Sequence, residues 1–208
     1  MSTLTAANQL TLLRMLLIPA FVILVVYGYQ GQALLVFATA GLTDALDGLI
    51  ARRAGQKTSL GAWLDPMADK LLLVSAFLVL TWPGLGLANQ LPIWLTVLII
   101  SRDVVIVLTV LVVNLAIGPR TFRPSVFGKV ATAIYILTAV VAMFFNYRGY
   151  HSSVVLLFVY ASLAITLISS GHYIWHAARI IEVPARPIAA GPAQKSHEAD
   201  KKSFGSRR

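Results

Sequence analysis

The chain has no cysteine, so disulfides and thiolate metal sites are excluded, and cysteine usage carries no mark of a redox compartment. Charge is scarce too. Only 12% of the 208 residues are charged, against about a quarter in a typical soluble domain. Acidic residues are the rarer sign, 8 against 17 Lys and Arg. The opening stretch MSTLTAANQLTLLRML lacks a charged leader, and no small-residue cleavage site follows its apolar run. No secretory signal is expected there. An Arg- and Ser-rich organellar presequence is also lacking, and the chain starts almost at Asn8, so a bacterial inner membrane is the expected location.

Apolar sequence is what the chain has in abundance. It is 58% hydrophobic with a mean hydropathy of +0.78. This composition indicates an integral membrane protein with little room for a separate soluble domain. A spanning helix needs roughly 20 mostly apolar residues. Six segments qualify, at about 10–29, 33–51, 60–82, 91–117, 127–147 and 152–178. The expected fold is therefore an all-α membrane domain over residues 1–182 with six transmembrane helices. From about Val183 a Pro-, Ala- and Lys-rich tail, 183–208, loses apolar periodicity and is expected to be disordered. The net charge of +9 would suggest nucleic acid in a soluble protein. Here it points to anionic lipid head groups, and no nucleic-acid partner is expected.

Lys and Arg set the orientation. Arg52, Arg53 and Lys57 follow the second segment, and Arg120, Arg123 and Lys129 lie around the connection before the fifth. More basic residues occupy the tail. The connections 1–2 and 3–4 have no Lys or Arg, and 5–6 has only Arg148. This alternation suits six spans with both termini cytosolic.

Four of the eight acids fall between Thr43 and Lys70. Asp44 and Asp47 are three apart, and Asp65 and Asp69 four apart, so each pair shares a helix face. A short loop should let the two faces meet near the cytosolic surface. Four clustered carboxylates stay ionised in a low-dielectric site only when cations compensate them. Oxygen-only ligands favour hard ions such as Mg²⁺, Mn²⁺ or Ca²⁺, and four could hold two such ions for phosphoryl chemistry. Gly48, Ala51 and Gly61 leave space beside the carboxylates, and Gly41, Ala45 and Gly48 would admit a close helix. Structural pairing with Arg and an ion-coupled transporter are the alternatives.

DALDGLIARRAGQKTSLGAWLDPMAD matches the pattern D-x-x-D-G-x-x-A-R, eight residues, G-x-x-x-D-x-x-x-D through Asp44, Asp47, Gly48, Ala51, Arg52, Gly61, Asp65 and Asp69. In this the chain resembles the CDP-alcohol phosphotransferase family over about residues 8–180. The resemblance implies transfer of a phosphatidyl group from CDP-diacylglycerol to an alcohol, with release of CMP. It implies two divalent metal ions, Mg²⁺ or Mn²⁺, held by Asp44, Asp47 and Asp65 with Asp69 shared. It also implies Asp69 as general base, Gly48, Ala51, Gly61 and Arg52 beside the nucleotide, and a homodimer.

The acceptor rests on other residues. NQLTLLR matches N-x-x-T-x-x-R of the glycerol-phospholipid branch, with Asn8, Thr11 and Arg14 on one helical face. Arg14 alone would also suit a snorkelling interfacial residue. Arg102 and Asp103 sit within the fourth segment, and adjacent residues do not face each other on a helix. Neutralisation of Arg102 by Asp103 is therefore not expected. Arg14, Arg102, Arg120, Arg123 and Lys129 are the candidates for holding an acceptor phosphate. Positive-inside loop charge is the bland reading of Arg120 and Arg123. Two glycerol-type acceptors fit, glycerol 3-phosphate first and phosphatidylglycerol as the alternative. AGLTDALDG, IISRDV and RPSVFGKVATA resemble the cardiolipin-forming branch. His172 and His176, four apart, are read as an interfacial polar face rather than a metal site.

Overall fold

The computed structural model describes the backbone of residues 6–54, 59–117 and 126–182, and side chains at 9–43, 64, 66–109, 111–112, 115 and 126–173. The chain divides into two compact units, Met1–Tyr173 and Ile174–Arg208. The described side chains all belong to the first. The basic tail lies outside the described residues.

Six α-helices follow one another: α1 Ala6–Val26, α2 Gln30–Ala54, α3 Ser59–Thr81, α4 Ile93–Ile117, α5 Val126–Arg148 and α6 Ser153–Glu182. No strand occurs among the described residues. Each helix overlaps one of the six apolar segments. Within the described residues, three helices are long and apolar enough to cross a membrane, at Gln9–Val26, Val126–Arg148 and Ser153–Tyr173. They mark a membrane protein. The 21 residues of α1 span about 31 Å at 1.5 Å per residue, close to the thickness of a hydrocarbon core.

The α1–α2 turn shows how local chemistry stops a helix. Gly28 has φ +82°, which only glycine adopts without strain. Tyr29 N–H donates to the Leu24 carbonyl at 2.8 Å and Gly28 N–H to that of Val25 at 3.0 Å. These two bonds satisfy orphan carbonyls in a Schellman arrangement. The α3–α4 connection contains a 3-10 turn at Pro83–Leu85.

Helix α1 packs on α2 and α3, α2 and α3 pack on α5, and α3 packs on α4. Phe21 meets Phe37 at 5.6 Å between ring centroids, and Phe77 meets Tyr135 edge-on at 6.2 Å. Leu80, Leu91, Leu95 and Met143 complete one buried cluster. Several buried hydroxyls of this apolar body pair with one another across helices. Thr81 and Thr96 hydroxyls meet at 2.6 Å, Thr138 and Ser162 at 2.8 Å, and Tyr135 and Thr166 at 2.6 Å. At one end, Asn89 ties the α3–α4 connection to the α5–α6 turn. Its N–H donates to Asn146 Oδ1 at 2.7 Å, its Nδ2 to the Tyr150 carbonyl at 2.9 Å, and its Oδ1 accepts from Ser152 N–H at 2.8 Å.

Gly41 departs from its expected part in a helix contact. A Cβ there would meet nothing within 4 Å, because α2 turns this position toward a cavity rather than toward another helix. The side chains of Ala45 and Gly48 lie outside the described residues.

Candidate functional site

Helix α2 carries Asp44 and Asp47 within about three turns of its end at Ala54, and α3 carries Asp65 and Asp69 within about three turns of its start at Ser59. The backbone thus brings the four acids to the ends of helices joined by a four-residue connection. The side chains of Asp44, Asp47, Gly48, Ala51, Arg52, Gly61 and Asp65 lie outside the described residues, as does that of Asn8. Arg120 and Arg123 lie outside them altogether.

Asp69 is described. It lines a cavity of about 200 Å³ together with Phe37 and Gly41 of α2, Lys70 of α3, Arg102 and Asp103 of α4, and Tyr135 of α5. Ala40, Leu72, Leu73 and Ile136 make much of the remaining wall apolar. Asp69 and Arg102, 33 residues apart in sequence, therefore face the same space. Lys129 is exposed on α5, one turn before the cavity residue Thr132.

Three described cations pair with two carboxylates around the cavity. Arg14 Nη1 donates to Asp69 Oδ1 at 2.5 Å. The Arg14 side chain is 0% exposed, whereas that of Asp69 is 42% exposed. Thr11, one turn before Arg14, is also fully buried. Lys70 Nζ lies 2.9 Å from Asp103 Oδ2.

The expectation that Arg102 and Asp103 would not pair is overturned. Arg102 Nη1 donates to Asp103 Oδ1 at 2.7 Å. The rule for adjacent residues concerns the directions in which Cβ atoms leave the helix. A guanidinium at the end of three methylenes reaches around that angle. Arg102 Nη2 also donates to Ser169 Oγ at 2.8 Å. The Arg102 side chain is only 10% exposed, a depth at which an unpaired charge is costly.

Sequence reasoning missed Lys70, Tyr135 and the buried hydroxyls on α6. Ser162, Thr166 and Ser169 are spaced four and three apart, which puts them on one helical face. All three are buried, and their partners lie on α4 and α5. That spacing is a readable signal, but hydroxyls are common enough in apolar helices to pass unnoticed. His172 packs against the Phe127 ring at 4.9 Å, and the side chain of His176 lies outside the described residues.

A sequence model of the family described as CDP-alcohol phosphatidyltransferase matches residues 4–175. Among curated proteins, a probable phosphatidylglycerophosphate synthase of Mycobacterium tuberculosis is 34% identical over 181 residues, covering 84% of this chain and 82% of the relative. A CMP-forming cardiolipin synthase of Rattus norvegicus is 34% identical over 191 residues, covering 84% of this chain and 62% of the relative. A CDP-diacylglycerol–glycerol-3-phosphate 3-phosphatidyltransferase of Haemophilus influenzae is 32% identical over 173 residues, covering 79% and 89%. With the family model extending over most of its length, this chain belongs to the CDP-alcohol phosphatidyltransferase family.

Proposed function

We propose that this chain transfers the phosphatidyl group of CDP-diacylglycerol to a hydroxyl of glycerol 3-phosphate, forming phosphatidylglycerophosphate and releasing CMP. The observation that carries the reading is the shared cavity. A half-exposed carboxylate, Asp69, and a cationic pair, Lys70 and Arg102, face one space. The acceptor hydroxyl oxygen forms a new bond to the phosphatidyl phosphorus. The bond from that phosphorus to the oxygen of the departing CMP breaks. Asp69 takes the hydroxyl proton, since a neutral alcohol is a weak nucleophile and a positioned carboxylate can accept its proton as the bond forms. Lys70 and Arg102 hold the acceptor's phosphate, with Lys129, Arg120 and Arg123 as further basic candidates for that role. Gly48, Ala51 and Gly61 leave room for the cytidine, and Arg52 contacts the nucleotide phosphates.

The family is generally dependent on divalent metal. The donor set here is carboxylate oxygen, which suits Mg²⁺ or Mn²⁺. Asp44, Asp47 and Asp65, with Asp69 shared, are the residues proposed to hold two such ions. When bound, they would supply charge compensation for the phosphate oxygens. The proposed setting is the cytosolic leaflet of a bacterial inner membrane, with six spans, both termini cytosolic and two copies forming a homodimer. Alternating basic and neutral connections support that orientation. An ion-coupled transporter draws no support from the family match.

A second reading has its own support. The rat relative that makes cardiolipin is as similar as the mycobacterial one. An acceptor with acyl chains, phosphatidylglycerol, also suits the largely apolar cavity wall. Purified protein with CDP-diacylglycerol, Mg²⁺ and each acceptor decides the matter. CMP release with glycerol 3-phosphate is expected, with the product identified by mass spectrometry. Release with phosphatidylglycerol alone would transfer the assignment to cardiolipin synthesis, and no CMP with any acceptor would end the reading.

A further inference from the structure

Arg14 belongs to the sequence pattern that suggests acceptor binding, yet its surroundings point elsewhere. We infer that Arg14 is a positioning residue that aims the Asp69 carboxylate into the acceptor cavity and does not itself hold the acceptor. This rests on the reading of Asp69 as the proton acceptor.

Two observations separate Arg14 from the acceptor. Its side chain has no exposed surface, and it is not among the described residues that line the cavity. A guanidinium so enclosed reaches an acceptor phosphate only if α1 and α3 separate. Asp69, by contrast, spans both environments. It lines the cavity, and its Oδ1 is held from behind by Arg14 Nη1 across 55 residues of sequence.

An aspartate that is 42% exposed would ordinarily sample several rotamers. A base must lie within hydrogen-bond reach of the proton it removes. A planar guanidinium on a buried stem loses little freedom when it fixes a carboxylate, and its charge offsets the cost of holding that carboxylate among apolar helices. Thr11, one turn away on the same face, is fully buried as well, so this stretch of α1 faces the packed interior. A neutral or shorter side chain at 14 would leave Asp69 in place on its helix without fixing its direction.

The experiment is steady-state kinetics of CMP release by purified full-length Arg14→Lys and Arg14→Gln, with folding checked by monodispersity and melting temperature. The expected result is a fall in kcat, on the order of 10²-fold for Arg14→Gln, at an unchanged KM for glycerol 3-phosphate. Arg14→Lys should retain more turnover than Arg14→Gln. In an Asp69→Asn background, Arg14→Gln should add no further loss, since the two act as a unit. A raised KM at unchanged kcat would make Arg14 an acceptor ligand and overturn the inference. So would normal kcat accompanied only by a lower melting temperature. If Arg14→Gln does not fold, Arg14→Lys, which keeps the charge and loses the planar fork, carries the test alone. A lowered kcat at unchanged KM in folded Arg14→Lys supports positioning, and a raised KM at unchanged kcat overturns it. Wild-type turnover in Asp69→Asn removes the proton-acceptor reading and the inference with it. An inactive Asp69→Asn beside a fully active Arg14→Gln removes the inference alone.

Discussion

Arg102 grips its own sequence neighbour. Its Nη1 donates to Asp103 Oδ1 at 2.7 Å while Nη2 reaches Ser169 Oγ, 67 residues away, at 2.8 Å. Asp103 in turn holds Lys70 of α3 through its other oxygen at 2.9 Å. One carboxylate thus fixes two cations on two helices at the cavity wall. Replacing it with Ala should destabilise the protein by about 1–3 kcal/mol, the cost of a buried group losing its partner. It should also raise KM for the acceptor more than it lowers kcat. Unchanged KM in a folded Asp103→Ala protein would separate this cluster from acceptor binding.

Asp69→Asn keeps the size of the side chain and removes its capacity to take a proton. Turnover should fall by about 10²–10⁴-fold, the usual worth of a general base, with CDP-diacylglycerol binding still measurable. Near-normal CMP release would remove Asp69 from that role.

Metal dependence has its own test. Chelation with EDTA should abolish CMP release, and added Mg²⁺ or Mn²⁺ should restore it. Asp44→Asn, Asp47→Asn and Asp65→Asn should each raise the metal concentration needed for half-maximal rate. Full activity in excess chelator would exclude the proposed ions.

Asn89 lies in the α3–α4 connection, beyond the end of α3 opposite its start at Ser59, and makes bonds to Asn146, Tyr150 and Ser152. It is 4% exposed, so its partners lose bonds that water cannot readily replace. Asn89→Ala should cost about 1–3 kcal/mol of stability, seen as a lower melting temperature in detergent. The acceptor KM should not change. A stable Asn89→Ala protein would show that this end is held by apolar packing alone.

Ser162→Ala removes the 2.8 Å bond to Thr138. Interhelical hydrogen bonds inside membranes average only about 0.6 kcal/mol, so the loss should be small despite complete burial. A double-mutant cycle with Thr138→Val measures it, and a coupling above about 2 kcal/mol would contradict this expectation.

The sequence alone determined the helical architecture and the chemical class. Long apolar runs mark helices that shield their backbone groups from hydrocarbon, and each of the six helices overlaps one such run in the sequence. The carboxylates were legible for a related reason: acids in apolar helices are rare and costly, and their spacing follows directly from the helical repeat. What the tertiary structure decided is which distant groups share a space. That Arg14 turns inward to Asp69, that Asp69 and Arg102 line one cavity, and that Ser169 and Lys70 complete the cluster depend on how α1, α3, α4 and α6 rotate about their axes. The pairing of Arg102 with Asp103 depends likewise on side-chain torsions. Local periodicity sets where a Cβ leaves its helix. The reach of a long cation, and the partner it finds, follows from the packing of helices against one another.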